Sequence, residues 1–302
     1  MQNTYGLSAV KRAKPVDFQC QNAFQCLNRL LLTAHINCIT DAKYIALEAG
    51  ALETQGGKAT ARSALVTGAA GGLGRAIALR LAREGWSLVL LDADQAGNAQ
   101  TLSLVQQNAG VGTAFTVDVS NPDAFSAVVA QVERKSPPIE LLVNNAGIEG
   151  TVAPVWSYGL DVFDAVWNVN VRGTLVGMQS VLPGMIRRGR GAVVNIASTS
   201  AIRGRKGLAG YVASKHAVLG LTRTAALDVA PHGLRVNAVL PGPVRGAMIE
   251  RIDAMAGGVE RAGQAALAEP ADIAAMVAFL SSDEARHING GAMVVDGAST
   301  VL

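Results

Sequence analysis

Short apolar runs, each about one strand long, recur along the chain from residue 63 onward and alternate with longer segments of helical period. The strand candidates are 63–67, 86–91, 113–117, 139–143, 192–197, 234–240 and 292–295. Leu88-Val-Leu-Leu91 is apolar at every position rather than every second one, as expected of a strand covered on both faces. Between the runs, segments such as Arg75-Ala-Ile-Ala-Leu-Arg-Leu-Ala-Arg83 put Ile77, Ala78 and Leu81 on one helical face. This alternation predicts a doubly wound α/β fold, with a parallel sheet of about seven strands between two layers of helices. The longest helices are expected over about 160–188 and 209–230.

Residues 62–302 carry the alternation and read as a single domain, whereas residues 1–61 form an N-terminal extension. Phe18, Phe24, Leu27, Leu30 and Leu31 suggest one short amphipathic helix there, and 50–60 is a Gly/Ala/Thr-rich linker. A disordered or loosely docked tail is expected. Lys11, Arg12, Lys14 and Arg29 outnumber the nearby acids, but the stretch lacks the serine and arginine richness of a transit peptide. Its apolar core is too interrupted for a secretory signal, so a cytoplasmic protein is expected.

Composition narrows the function classes. Half of the 302 residues are hydrophobic, enough for a substantial core. The net charge of +3 is spread along the chain and aromatics are only 4%, which argues against a nucleic-acid partner. Membrane association is not expected, because no apolar run reaches the ~18 residues a spanning helix needs. Cys20, Cys26 and Cys38 all fall in the extension, and with His35 they match no zinc spacing. His216, His232 and His287 are unclustered, so no metal is expected.

Chemistry concentrates at the ends of the strand candidates. Ser63-Ala-Leu-Val-Thr67 runs into Gly68-Ala-Ala-Gly-Gly-Leu-Gly74 and then into a helix. In such a turn one glycine allows the bend, one lets the backbone approach a pyrophosphate, and one lets helix and strand pack closely. The helix N-terminus adds free N–H groups and a favourable dipole for a phosphate. The second strand ends at Asp92, about the distance at which a carboxylate can bond a ribose 2′-hydroxyl and repel a 2′-phosphate. Ala69-Ala70-Gly71 offers no basic side chain to a 2′-phosphate, which also favours NAD over NADP, although Arg75 stands close. Asp92 is equally suited to form a turn or to cap a helix, as Asp94 is.

Farther along, Tyr211-Val-Ala-Ser-Lys215 puts a phenol and an ammonium one helical turn apart. A neighbouring cation favours the phenolate, so a depressed Tyr211 pKa is expected. Ser198 ends the strand-like Ala192-Val-Val-Asn-Ile-Ala-Ser198, where its hydroxyl can lie beside that phenol. Arg203, Arg205 and Lys206 form a basic cluster just beyond, either a solvated loop or a greeting for an anionic substrate group.

Thr67-Gly68-x-x-x-Gly72-Leu73-Gly74, Asn144-Asn145-Ala146-Gly147, Ser198, Tyr211-x-x-x-Lys215 and Pro241-Gly242 stand in the order and spacing of the short-chain dehydrogenase/reductase family, which the chain resembles over residues 62–302. The resemblance implies a Rossmann-type fold and residue roles. Tyr211 would be the general acid/base, Lys215 its activator and ribose ligand, and Ser198 the partner of the substrate oxygen. Asn170, in Asn168-Val-Asn170-Val-Arg-Gly173, matches the asparagine that interrupts a helix and supports a proton-relay water. Asp118 and Val119 match the segment beside the adenine. Gly68, Gly72, Leu73, Gly74, Asp92, Asn145, Ala146, Gly147, Pro241, Gly242 and Val244 complete the implied cofactor site. The residues themselves leave other roles open, since Asn170 could be an interior helix polar residue, Asp118 a turn former, and Asn144 and Asn145 a turn closure.

Gly246 stands where the family often has a threonine that holds the nicotinamide carboxamide. Residues 243–268 correspond to the family's substrate lid, in which Met248, Ile249, Ile252 and Met255 recur at helical spacing and Gly257-Gly258 suggests a hinge. Together these features lead to the expectation of reversible hydride transfer between NAD and a small secondary alcohol or ketone. An NADPH-linked carbonyl reductase, such as one acting on 3-oxoacyl thioesters, and a non-enzymatic dinucleotide sensor are the alternatives. The family resemblance also implies a homo-oligomer, commonly a tetramer.

Overall fold

The computed structural model describes residues 62–257 and 267–301. The extension with its helix, linker and cysteines, together with Gly258 and the middle of the lid, lies outside the described residues.

Seven parallel strands make one sheet among the described residues: β1 (Ser63–Thr67), β2 (Ser87–Asp92), β3 (Val111–Thr116), β4 (Ile139–Asn144), β5 (Ala192–Ile196), β6 (Arg235–Pro241) and β7 (Ala292–Val295). Their spatial order is β3-β2-β1-β4-β5-β6-β7. The chain builds outward from β1 to β3, then returns to β4 on the other side of β1 and builds the opposite way. That reversal opens a crevice above the carboxyl ends of β1 and β4, where a doubly wound sheet binds its ligands.

The helices are α1 (Gly72–Arg83), α2 (Gln95–Gln107), α3 (Pro122–Lys135), α4 (Leu160–Trp167), α5 (Gly173–Arg188), α6 (Ala209–Val229), α7 (Ala247–Met255) and α8 (Pro270–Ser281). Alternation along the strands feeds two separate cores. Ala64, Val66, Val194 and Ile196 pack with Ile77 and Leu81 of α1, Leu102 of α2, and Ile273 and Val277 of α8. Leu65 and Val193 point the other way, to Phe125 and Val128 of α3, Val176 and Met185 of α5, and Val229 of α6. Both faces are covered, which explains why the strands read as continuous apolar runs.

The strand boundaries expected from sequence hold to within two residues. The long helix expected over 160–188 is broken by a π turn at Asn168–Arg172 between α4 and α5, at the asparagine that the family resemblance marked as interrupting a helix. The wider turn rotates Asn170 inward, where it is buried. Among the described residues no helix is long and apolar enough to cross a membrane.

Candidate active site

Above the β1/β4 crevice, the glycine turn is shaped by close packing. Gly68 has φ +66°, and a Cβ there would sit 2.8 Å from the Cα of Ala146 and 2.9 Å from the Nδ2 of Asn145. A Cβ on Gly74 would collide with the carbonyl oxygen of Gly68. Asn145 braces the turn by donating Nδ2 to the carbonyls of Thr67 and Gly68, each at 3.0 Å. Thr67 Oγ1 accepts the amides of Asn145 and Ala146 at 3.0 and 3.1 Å and donates to Val143 O at 3.4 Å.

This cradle fits a dinucleotide phosphate. A Cβ on Gly72 would meet nothing within 4 Å, so the turn is open on that side. No side chain caps α1 and no acidic residue lies in its first turn, which leaves the dipole and the first amides turned toward the crevice. Asp92, at the end of β2, accepts Ala70 N through Oδ2 and Asp94 N through Oδ1, both at 2.9 Å. It therefore ties the glycine turn to the second strand, and Asp94 takes the helix-capping role by accepting Gly97 N. Arg75, the basic residue near the turn, bonds Thr101 Oγ1, Ala70 O and Gln100 Oε1. Asp118 accepts both the amide and the hydroxyl of Ser120, and Val119 packs into the core beneath.

The other half of the site gathers at the ends of β4 and β5 and on α6. Asn170 Oδ1 accepts Ile148 N at 2.8 Å, and its Nδ2 donates to Ile148 O at 3.0 Å and to Ser214 Oγ at 2.9 Å. Its side chain is thus fully committed to holding the loop after Gly147 against α6. Gly147 sits close to this side chain, since a Cβ there would lie 3.2 Å from Asn170 Oδ1, a tight fit, and at ordinary contact distance from the Nζ of Lys215. Lys215 is buried and donates to Ile196 O at 2.8 Å. Its ammonium lies 5.6 Å from the centre of the Tyr211 ring. The Ser198 hydroxyl lies against the phenol, and its hydrogen bond favours the ionised form.

The expected acidification of Tyr211 is not met. Burial raises the phenol above its ordinary value and outweighs the lowering by Ser198 and by the positive charge of Arg205, while Glu149 raises it further. Lys215 is instead engaged with Ile196 and is itself brought down to about 8 by burial. The pH consequence has a definite sign. Because the folded lysine titrates at about 8 against 10.5 when unperturbed, the unfolded chain binds more protons between these values and stability rises with pH there. Above 10.0 the raised Tyr211 works in the opposite direction. Denaturant midpoints are expected to climb as pH passes 8, and Lys215→Met is expected to flatten that climb.

The nicotinamide end differs from the family pattern for a structural reason. Gly246 has φ +145° and leads into α7, a conformation that strains a threonine. Val244 pairs with Ala268 through a bridge that uses Pro243 O and Arg245 N, not the amide and carbonyl of Val244 itself. Gly242 N is held by Val295 O, fixing the Pro241-Gly242 turn to β7. On α7, Ile249 and Ile252 are buried against Leu208 and Tyr211, with Val152, Val212 and Met248 alongside, while Met255 is exposed.

Sequence reasoning singled out the glycine turn, Asp92, the Asn145 segment, Ser198, Tyr211 and Lys215, and the structure brings them to one edge of the sheet. Two residues went unnoticed. Glu149, buried just beyond Gly147, bonds Arg251 of α7 through Arg251 Nε to Oε1 at 2.5 Å and Nη2 to Oε2 at 3.2 Å. Their signal was a charge two residues after Gly147, in the segment that follows β4, and another inside an apolar helical stripe.

A dinucleotide crevice opening beside a buried phenol, hydroxyl and ammonium defines an oxidoreductase of the α/β class. A family profile described as Enoyl-(Acyl carrier protein) reductase matches residues 68–300. Levodione reductase of Leifsonia aquatica is 37% identical over 253 residues, covering 80% of this chain and 95% of its own. A crystal structure of levodione reductase superposes with a TM-score of 0.76 over 81% of this chain and 99% of the other, at 36% identity. Cyclohexanol dehydrogenase of an Acinetobacter species is 34% identical, covering 78% of this chain and 94% of its own. The 3-oxoacyl-[acyl-carrier-protein] reductase FabG of Thermotoga maritima is 34% identical over 78% and 97% of the two chains. The structure of NAD+-bound xylitol dehydrogenase matches with a TM-score of 0.72 at 32% identity, over 79% and 98%. The chain belongs to the short-chain dehydrogenase/reductase family. It is an enzyme of NAD(P)-linked oxidation and reduction of alcohols and ketones.

Proposed function

We propose that the protein is an NAD-dependent dehydrogenase of a compact, apolar secondary alcohol, alicyclic in the manner of cyclohexanol, acting reversibly on the matching ketone. The observation that carries this is the burial of Tyr211, Ser198 and Lys215 together beneath an apolar lid face. Ile249, Ile252 and Leu208 pack an apolar face against the ring of Tyr211, which suits a hydrocarbon ring bearing one oxygen. The names of the levodione and cyclohexanol relatives agree.

Ser198 holds the substrate oxygen and Tyr211 exchanges its proton. The bound cofactor supplies the nicotinamide carbon that accepts or donates the hydride. Lys215, with its lowered pKa, passes the proton onward. Asn170 holds the loop after Gly147 in place, and a proton-relay role for it rests on family resemblance. The high phenol pKa makes Tyr211 a ready proton donor for ketone reduction at neutral pH, and alcohol oxidation speeds up as pH rises and the phenol ionises. Gly68, Gly72, Leu73 and Gly74 cradle the pyrophosphate, and Asp118 and Val119 flank the adenine. Ala146, Gly147, Pro241, Gly242 and Val244 line the nicotinamide half, and residues 243–268 act as the lid.

Preference for NAD rests on Asp92, whose carboxylate closes the adenosine end, and on Arg75, whose guanidinium already serves three acceptors. The fatty-acyl reductase relative favours the rival, an NADPH-linked 3-oxoacyl reductase. Steady-state kinetics with both cofactors across alicyclic alcohols, ketones and 3-oxoacyl thioesters separate the two, and thioester turnover with NADPH alone would defeat the proposal. Asp92→Asn is expected to narrow the NAD:NADP ratio of kcat/KM by about tenfold, the effect of removing one charged contact worth ~1.4 kcal/mol. A homo-oligomer completes the proposal, supported by family resemblance and by Val155, Trp156 and Leu160, which hold apolar side chains in solvent.

A further inference from the structure

Glu149 stands in an unusual position for a carboxylate. Its side chain is only 7% exposed, against 57% for that of its partner Arg251. An ionised carboxylate buried in an apolar wall needs a counter-charge, and removing that partner is strongly unfavourable. Among the described residues, the two hydrogen bonds to its side chain come from the Arg251 fork. Arg251 belongs to α7, which begins after Gly246 at φ +145° and is followed by Gly257 at φ +83°. Both are backbone positions suited to glycine and able to bend. On the same helix, Ile249 and Ile252 grip Leu208 and Tyr211. An apolar patch and this ion pair both fasten the helix, and the pair ends on the wall of the site.

We infer that Glu149 and Arg251 are positioning residues: a clasp that seats α7 over the active site and balances the charge beside Tyr211. This rests on the general-base role proposed for Tyr211. When the clasp is closed, the carboxylate is neutralised and the lid's apolar face covers the phenol. Withdrawal of α7 takes Arg251 away and leaves a bare negative charge near Tyr211, so the phenol resists ionisation until the lid is shut. Proton transfer is thereby coupled to enclosure of the substrate.

The charges that act on Tyr211 are Glu149 after β4 and Arg205 in the loop before α6, with Lys215 of its own helix 5.6 Å from the ring centre, and Arg251 of α7 reaches the phenol through its fork on Glu149. The Tyr158 hydroxyl lies against neighbouring Gly210. Of these, Glu149 raises and Arg205 lowers the phenol's pKa, and the Glu149 hydrogen bond holds the Arg251 guanidinium above its ordinary value.

The test uses the full-length enzyme and four variants, Arg251→Gln, Arg251→Lys, Glu149→Gln and the double Glu149→Gln/Arg251→Gln. The readouts are kcat, alcohol KM and the pH at which kcat/KM for alcohol oxidation rises. Arg251→Gln is expected to raise KM severalfold and to move the rise upward by about half a pH unit, because an unbalanced negative charge remains. Glu149→Gln is expected to move it downward, leaving an unbalanced positive charge. The double variant should return the rise to its wild-type position while keeping the higher KM, and Arg251→Lys should restore part of the KM. A merely structural pair would not produce opposite shifts that cancel. Rises that stay put, or that move the same way in both single variants, overturn the clasp. Circular dichroism melts and cofactor titrations accompany each variant, and the double variant and Arg251→Lys decide the matter if a single variant fails to fold. Activity in Tyr211→Phe would instead overturn the general-base role itself, so the two failures are distinguishable.

Discussion

Tyr211→Phe is expected to lose turnover by a factor of about a hundred to ten thousand, with cofactor affinity nearly unchanged. That range corresponds to about 3 to 5 kcal/mol of transition-state stabilisation. The substitution removes one oxygen from a buried ring whose edges pack against Leu208, Ile249 and Ile252, so the apolar contacts survive. What disappears is the proton-exchanging hydroxyl that lies against Ser198. Stopped-flow or steady-state assays at several pH values, paired with fluorescence titration of the cofactor, check both halves of the expectation. Equal turnover in the variant would remove Tyr211 from the chemistry, and loss of cofactor binding would recast it as a structural residue.

The second large effect belongs to Gly74. Its added methyl in Gly74→Ala would drive into the Gly68 carbonyl and lie 2.8 Å from the Asn145 Nδ2. Neither neighbour can retreat easily, since Gly68 is held at a positive φ and Asn145 is bonded to Thr67 and Gly68. Overpacking of this kind costs about 1 to 3 kcal/mol, and here the strain falls on the cofactor cradle itself. A lower melting temperature and a large loss of cofactor affinity are expected together. Gly72→Ala is the control, because nothing lies within 4 Å of its Cβ and alanine suits a helix better than glycine. That variant should melt no lower than wild type yet bind cofactor more weakly, since its methyl projects into the open side of the turn.

The contrast between these two glycines shows what sequence could and could not reveal. Their spacing after a strand and before a helix was enough to place a tight turn at the end of β1, but not to say which glycine is packed and which faces open space. The strands were legible because both faces of the sheet are covered, making runs such as Leu88-Val-Leu-Leu91 apolar throughout. The break at Asn168–Arg172 was visible only through family resemblance, since a π turn leaves the helical periodicity of its flanks intact. Proximity of Tyr211 and Lys215 was correct, yet its electrostatic consequence was not. Desolvation depends on what packs around the phenol in three dimensions, here Leu208 with Ile249 and Ile252 of α7, and the charge of Glu149 arrives from beyond a distant strand end. The Glu149–Arg251 pair was hidden for the same reason: its members are far apart in the chain and each looks like an ordinary surface charge.

One hydroxyl near the centre of the molecule has a further bearing on how ligands come and go. Thr67 Oγ1 is shared by the Asn145 and Ala146 amides and reaches Val143 O. It ties the end of β1 to the segment that follows β4, so the two strand ends that flank the crevice are joined at this point. On the function proposed above, access for ligands then falls to α7.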